Sequence, residues 1–350
     1  MLADELMPEL ANYTEYIDQN LKFAVIGFGK MGILHSGILN LLRPNYVRAV
    51  VDKSRLLVFG ASRLTSTIKF YRDIDKMFEK ENPDVVYVTT PSQSHYSIVS
   101  KLLEARTRYI FVEKPPTTNS RELLSLISRI GNSQMVMVGF QKRFALPFRH
   151  AKMLLSEKVI GDIEEILAYI KSSDITVSTS RFDTLGRGVL LDLGIHLIDL
   201  LQWTFSVKVV EASYYRKIHT NVDDCFRATL RTEDNVKIGI EATWCSAEHH
   251  LPETCIEVHG SKGVISVTED RLNVNSIERH PMLNDETKLA MYKPHYYQGV
   301  PPVNLADPEY TVENIHFLHS IHSGDEPLTN LRNVTGTMGL LDEIYRKANV

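Results

Sequence analysis

At 350 residues, 43% of them hydrophobic, the chain carries apolar material for two ordinary domain cores and is not a disordered polymer. Its 39 basic and 43 acidic residues leave a formal charge of −4 with no one-signed block, which excludes nucleic acid and an anionic membrane as expected partners and leaves a small molecule. Cys225, Cys245 and Cys255 are odd in number and form no C-x-x-C pair, which argues against a disulfide framework or a cysteine zinc site and suits a reducing cytoplasm.

The opening stretch MLADELMPELANYTEYIDQN is acidic and lacks the basic-then-apolar order of a secretory leader, and no apolar run elsewhere approaches a membrane span. An unexported cytoplasmic protein is expected, with a short amphipathic helix through Leu6, Leu10, Tyr13 and Ile17 and no chemistry there.

From Lys22 to Asp52 the chain reads KFAVIGFGKMGILHSGILNLLRPNYVRAVVD. An apolar strand runs into Gly27-Phe28-Gly29-Lys30-Met31-Gly32, which fits G-x-G-x-x-G. Gly27 permits the tight turn, Gly29 lets backbone amides approach a pyrophosphate, and Gly32 lets the next helix lie close on the strand. The helix start then offers unpaired N–H groups and a favourable dipole to the phosphates. A second strand, Val47 to Val51, ends in Asp52, placed to accept hydrogen bonds from an adenosine ribose. Asp52 favours NAD; Lys53 and Arg55 just beyond leave NADP possible.

The alternation continues with helix 54 to 64, a strand near Ile68, helix 73 to 80 and the strand Asp84 to Val88. Thr89-Thr90-Pro91-Ser92-Gln93-Ser94-His95 leaves that strand's carboxyl end, where an open α/β sheet places its ligand crevice, and Ser94 is expected to cap the helix to Ala105. Strand Tyr109 to Val112 runs into Glu113-Lys114-Pro115-Pro116. Proline restricts the residue before it, so Lys114 is held extended at a strand tip, either over the crevice or as a solvated lysine in a turn. Helix 120 to 130 and strand 135 to 139 complete six strands.

A second domain begins at GFQKRF with helix 145 to 156 and strand Ile163 to Lys171; Ser172 to Gly188 reads as loop. Val189 to Trp203 is an apolar helix in which Asp192, His196 and Asp199 stand at i, i+4 and i+7 on one face. A core histidine satisfied by a carboxylate and a functional stripe are both open readings, and a metal pair lacks a third ligand. Period-2 strands follow at 207 to 218, 224 to 231, 236 to 245, 254 to 258, 264 to 267 and 271 to 276. Pro281 to Pro308 reads as an irregular loop, and helices near 309 to 322 and 330 to 347 close the chain. His316, His319 and His322 drift around their helix and read as surface. The fold class is therefore α/β, with an N-terminal Rossmann doubly wound parallel sheet over 21 to 140. A C-terminal α+β domain with a large, mostly antiparallel open sheet covers 141 to 350, its last helices free to pack back on the first domain.

GFGKMG, TTPSQSH, EKPP and DLGIH together resemble the glucose-fructose oxidoreductase, inositol dehydrogenase and rhizopine-catabolism (Gfo/Idh/MocA) family, over about residues 22 to 348. The resemblance implies a catalytic group of Lys114, Asp192 and His196, a Lys114-Pro115 bond that is cis, and a cofactor site of Gly27 to Gly32, Asp52, Thr90, Pro91, His95, Glu113 and Lys114, with no metal. It implies NAD(P)-dependent hydride transfer at a secondary alcohol or ketone of a sugar, inositol or related polyol, by a homodimer or homotetramer. A nucleotide-sugar dehydrogenase, suggested by Lys142, Arg143, Arg181 and Arg187, and a non-catalytic dinucleotide-binding regulator are the alternatives.

Overall fold

The computed structural model describes residues 13–16, 18, 20–174, 187–216, 222–292 and 308–348. The chain divides into two compact units, Met1–Gln141 with His295–Thr335 and Lys142–Pro294 with Gly336–Val350.

In the first unit, β1 (Phe23–Ile26), β2 (Val47–Val51), β3 (Lys69–Tyr71), β4 (Val85–Val88), β5 (Tyr109–Glu113) and β6 (Met135–Gly139) form one parallel sheet in the order β3-β2-β1-β4-β5-β6. Phe23 to Ile26, Val85 to Val88 and Ile110 to Val112 are buried without alternation, because helices cover both faces of a parallel sheet. Those helices are α1 (Lys30–Leu42), α2 (Arg55–Leu64), α3 (Ile74–Glu81), α4 (His95–Glu104) and α5 (Ser120–Ile127). Asp73 and Asn119 cap α3 and α5 through their side chains, accepting from Lys76 N–H and Glu122 N–H. Ser94 does not cap α4. A short 3-10 turn, Ser92–Ser94, precedes that helix, and the Ser94 hydroxyl donates instead to the Pro91 carbonyl (2.7 Å) and to Thr90 Oγ1 (2.8 Å). The strand order reverses between β1 and β4, which sets the ligand crevice at their carboxyl ends.

The chain returns to this unit late. On the free edge of β6, Val138 N–H donates to the Thr329 carbonyl (2.9 Å) and the Thr329 hydroxyl donates back to the Val138 carbonyl (2.7 Å). The long helix Pro308–Ser323, here α8, packs on α1 and β6. His316 and His319 on it are partly covered, His316 accepting the Leu328 N–H (2.9 Å) and His319 meeting the Tyr16 ring edge-on at 4.7 Å, so they are not plain surface.

The second unit is an eight-stranded sheet in the order β14-β13-β12-β11-β7-β10-β9-β8. Its strands are β7 (Ile163–Lys171), β8 (Val207–Arg216), β9 (Cys225–Thr232), β10 (Lys237–Thr243), β11 (Glu253–Gly260), β12 (Gly263–Thr268), β13 (Arg271–His280) and β14 (Glu286–Tyr292). All pairings are antiparallel except that between β7 and β10. Burial alternates along the strands: Ile166, Ala168 and Ile170 are buried, whereas Leu167 between them is 46% exposed. Strand β14 corrects the reading of 281 to 308 as loop. Its side chains are half covered at best, so no apolar stripe marks it, and the nearby prolines dominate the pattern. The helix Leu146–Ser156, α6, packs on β12 and β13; a π turn (Leu190–Gly194) leads into α7 (Ile195–Phe205), which packs on β7. The last helix, α9 (Thr335–Lys347), belongs almost wholly to this unit. Of the amphipathic helix expected through Leu6, Leu10, Tyr13 and Ile17, Tyr13 is described, in a 3-10 turn (Tyr13–Tyr16); Leu6, Leu10, Ile17, most of the 172 to 188 loop, and Arg181 lie outside the described residues.

Candidate active site

The glycine loop is shaped as the hexad requires. Gly27 has φ of +96°, and a Cβ there would come within 2.8 Å of the Thr89–Thr90 backbone; a Cβ on Gly32 would sit 2.0 Å from the Gly27 carbonyl oxygen. Gly29 differs, because a Cβ on it would meet nothing within 4 Å, so the space above it is open. The Thr89 hydroxyl donates to the Gly27 carbonyl (2.7 Å), tying the loop to the end of β4. The first amides of α1 have no side-chain cap and stay available to an anion. This cradle fits a dinucleotide pyrophosphate, with Phe28, Gly29, Lys30 and Met31 all reaching solvent.

At the end of β2, Asp52 is fixed by two backbone amides, Phe28 N–H to Oδ2 and Ser54 N–H to Oδ1, both 2.8 Å. Each carboxylate oxygen keeps a second lone pair, so the group can still accept from a ribose. Phe28 meets Phe70 edge-on at 5.6 Å beside it.

Thr90 and Pro91 lie at the surface of the next loop, but His95 is 1% exposed. Its ring spans two carbonyl oxygens, Nδ1 against Pro115 and Nε2 against Thr90, each at 2.7 Å. Burial lowers its pKa, against the pull of those carbonyls. His95 thus braces the loop after β4 against the loop after β5. The Lys114-Pro115 bond in that second loop is cis.

Glu113 is also turned inward. Oε2 accepts the Lys114 N–H (3.1 Å), while Oε1 lies 2.9 Å from Nε2 of His35, a fully buried residue of α1. Asn314 on α8 closes the other side of the His35 ring, with Nδ2 at 3.0 Å from Nδ1. Sequence reading did not single out His35, which stands one turn into α1 and 78 residues from its partner. Beside this chain of bonds lies the wholly buried Glu313. Burial, then the neighbouring Glu113 and Glu309, pushes its carboxyl well above the ordinary carboxylate range.

In the second unit, Asp192 sits within the π turn and His196 in the first turn of α7, half-buried and 4% exposed respectively. The π turn corrects the expectation of one regular stripe, since a wider turn shifts Asp192 relative to the residues after it. Gly194 allows that turn to press on β10, where its Cβ would stand 3.2 Å from Ala242 Cβ. Asp199 is committed elsewhere: Arg143 grips it through Nε (2.7 Å) and Nη2 (2.6 Å), and the Thr337 hydroxyl donates at 2.9 Å. Lys142 is likewise buried against Glu269, and Arg187 pairs with Asp342 at 2.8 Å over the Tyr345 ring. Lys142 and Arg143 are therefore buried in ion pairs, and Arg187 is engaged in a partly exposed one.

A Rossmann unit with an open glycine cradle and an acid at the end of its second strand, followed by a large mixed sheet, is the architecture of a dinucleotide-binding protein. The NAD-binding Rossmann model of the oxidoreductase family matches residues 21–140, and the Gfo/Idh/MocA C-terminal domain model matches residues 148–266. Together they span well over half of the chain, which belongs to the Gfo/Idh/MocA family. It is 27% identical over 320 residues to inositol 2-dehydrogenase/D-chiro-inositol 3-dehydrogenase of Halalkalibacterium halodurans, covering 88% of this chain and 85% of that protein. Among solved structures it is similar to an Agrobacterium radiobacter oxidoreductase in complex with NAD+, L-tartaric acid and magnesium (TM-score 0.80, 18% identity, 95% of this chain and 97% of that one). It is also similar to levoglucosan dehydrogenase in complex with NADH and levoglucosan (TM-score 0.76, 22% identity, 95% and 98%).

Proposed function

We propose that the protein oxidises a secondary alcohol of an inositol, sugar or related polyol with NAD, or runs the reverse ketone reduction. The observation that carries the reading is Lys114 at the tip of β5, its N–H gripped by Glu113 and its loop braced by His95. A nicotinamide held by the Gly27 to Gly32 loop would supply the acceptor for the hydride from the carbinol carbon. His196 takes the hydroxyl proton, imidazole being the side chain that exchanges protons most readily near neutral pH, and Asp192 orients the ring. Lys114 donates a hydrogen bond to the same oxygen as negative charge develops on it. The dehydrogenase names of the relatives support the substrate class.

Asp52 reads the ribose hydroxyl and disfavours a 2′-phosphate, giving NAD the advantage over NADP; Asp52→Ala should narrow that ratio of kcat/KM. The nucleotide-sugar alternative loses support with Lys142, Arg143 and Arg187 already in ion pairs. The outer face of the second sheet, with Leu167 and Ile277 exposed, is proposed to cover itself in a homodimer or homotetramer, and a monomer in light scattering at micromolar concentration would exclude this. Among the described residues no helix is long and apolar enough to cross a membrane.

The test is absorbance of reduced nicotinamide across a panel of inositols and sugars. Turnover is expected with at least one of them, and His196→Ala and Lys114→Ala should each lower it by on the order of 100-fold with NAD affinity kept. No turnover with any member, or near-normal turnover in either variant, would overturn the reading and favour a non-catalytic regulator.

A further inference from the structure

A helix start leaves four backbone N–H groups without intrahelical partners, and a buried start must find acceptors for all four. The segment that begins at Gly188 and carries Asp192 and His196 is such a start, because Val189, Leu190 and Leu191 are all buried. Its first intrahelical acceptor is the Gly188 carbonyl, which receives Leu191 N–H and Asp192 N–H at 3.1 Å each. No serine, threonine, asparagine or aspartate stands at the local capping position.

The acceptors come from far away in the chain. Gly188 N–H donates to Asp223 Oδ1 (2.7 Å), Val189 N–H to the Asp223 backbone carbonyl (2.6 Å) and Leu190 N–H to Asp223 Oδ2 (2.9 Å). Leu191 N–H donates to the Tyr345 hydroxyl at 3.2 Å, and that hydroxyl lies 3.3 Å from both oxygens of Asp223. Three of the four amides are thus taken by Asp223, in the turn before β9, and the fourth, Leu191 N–H, is shared between the Gly188 carbonyl and the Tyr345 hydroxyl on α9. The approach is so close that a Cβ on Gly188 would stand 1.9 Å from the Asp223 carbonyl oxygen, so no other residue fits at that position.

A local cap fixes only where a helix begins. Asp223 and Tyr345 also fix where the start sits in the unit, because one stands in the turn that leads into β9 and the other on the closing helix. The π turn follows directly, and its register decides where the Asp192 and His196 side chains point. We infer that Asp223, with Tyr345, is a positioning residue of the reaction, holding the Asp192–His196 segment in register by clamping its amino terminus. This rests on the assignment of Asp192 and His196 to the reacting centre.

Two measurements on the full-length protein separate the clamp from that assignment. Amide hydrogen exchange of peptides spanning 188 to 196 needs no substrate: Asp223→Asn, which exchanges one acceptor for an N–H2, should raise exchange there by roughly tenfold while peptides of the first unit stay unchanged. Tyr345→Phe should raise it less. With the panel alcohol of highest turnover, Asp223→Asn should lower kcat on the order of tenfold with KM and NAD affinity within about twofold of wild type. Unchanged exchange at 188 to 196 in both variants overturns the clamp. Looser exchange with unchanged kcat, in a protein where His196→Ala abolishes turnover, overturns the positioning role; unchanged turnover in His196→Ala overturns the functional assignment and leaves the clamp standing on its exchange data.

Discussion

Arg143→Met isolates the interior of the second unit. Asp199 is 1% exposed and receives three donors, two from the Arg143 guanidinium and one from the Thr337 hydroxyl. Methionine keeps most of the apolar stem but leaves a buried carboxylate with a single hydroxyl donor. Breaking a buried pair from one side costs about 3 to 5 kcal/mol, whereas replacing both partners by apolar groups is often neutral. Arg143→Met should therefore lose about 3 to 5 kcal/mol, and Arg143→Met with Asp199→Leu should regain most of it. The chain's two tryptophans, Trp203 and Trp244, both belong to the second unit, and Trp203 lies under the Arg143 guanidinium at 5.9 Å. Urea unfolding followed by tryptophan fluorescence thus reports on this unit, without a two-state assumption for the whole chain. A loss below about 1 kcal/mol in the single variant, or a double variant no more stable than the single, would refute the argument.

Gly32→Ala should abolish NAD binding and destabilise the first unit, since its Cβ would lie 2.0 Å from the Gly27 carbonyl oxygen; equilibrium dialysis with NAD reads the first effect. For Asp223, burial raises the carboxyl from 3.8 to about 6, so the folded state favours its neutral form. That contribution is fully present below pH 3.8 and is lost as pH rises through 6, a swing of about 3 kcal/mol. Stability of wild type relative to Asp223→Asn should fall across that window, and a pH-independent difference would contradict the assignment.

The glycine loop, the parallel strands and Asp52 were legible because each signal is local: an apolar run, a glycine at a forced turn, an acid at a strand end. Strand β14 was not, because on this edge strand one face is exposed and the other only half covered, so no buried apolar stripe marks it among the nearby prolines. The basic pair Lys142-Arg143 looked like a surface or phosphate feature because its partners, Glu269 and Asp199, lie 127 and 56 residues away. Asp223 shows the same limit more sharply. Nothing in its surroundings distinguishes it from a turn aspartate, and its role exists only once the sheet has brought it to Gly188. Lys114, Asp192 and His196 are singled out by resemblance; spacing alone leaves a solvated lysine and a core histidine as open readings.

The return of the chain to its first unit gives biosynthesis a direction. Residues His295–Thr335 belong with the glycine loop yet leave the ribosome after almost all of the second unit. Until Thr329 emerges, the outer edge of β6 lacks the partner of Val138, and until Asn314 emerges His35 faces Glu113 without its other support. An unpaired sheet edge is a site for wrong pairing, so the nascent chain spends the interval in its most aggregation-prone form. Released chains ending at Tyr292 should be cleaved readily by protease within the first unit, and released chains that run through residue 350 should resist. The cofactor domain that begins the protein is among the last parts of it to be finished.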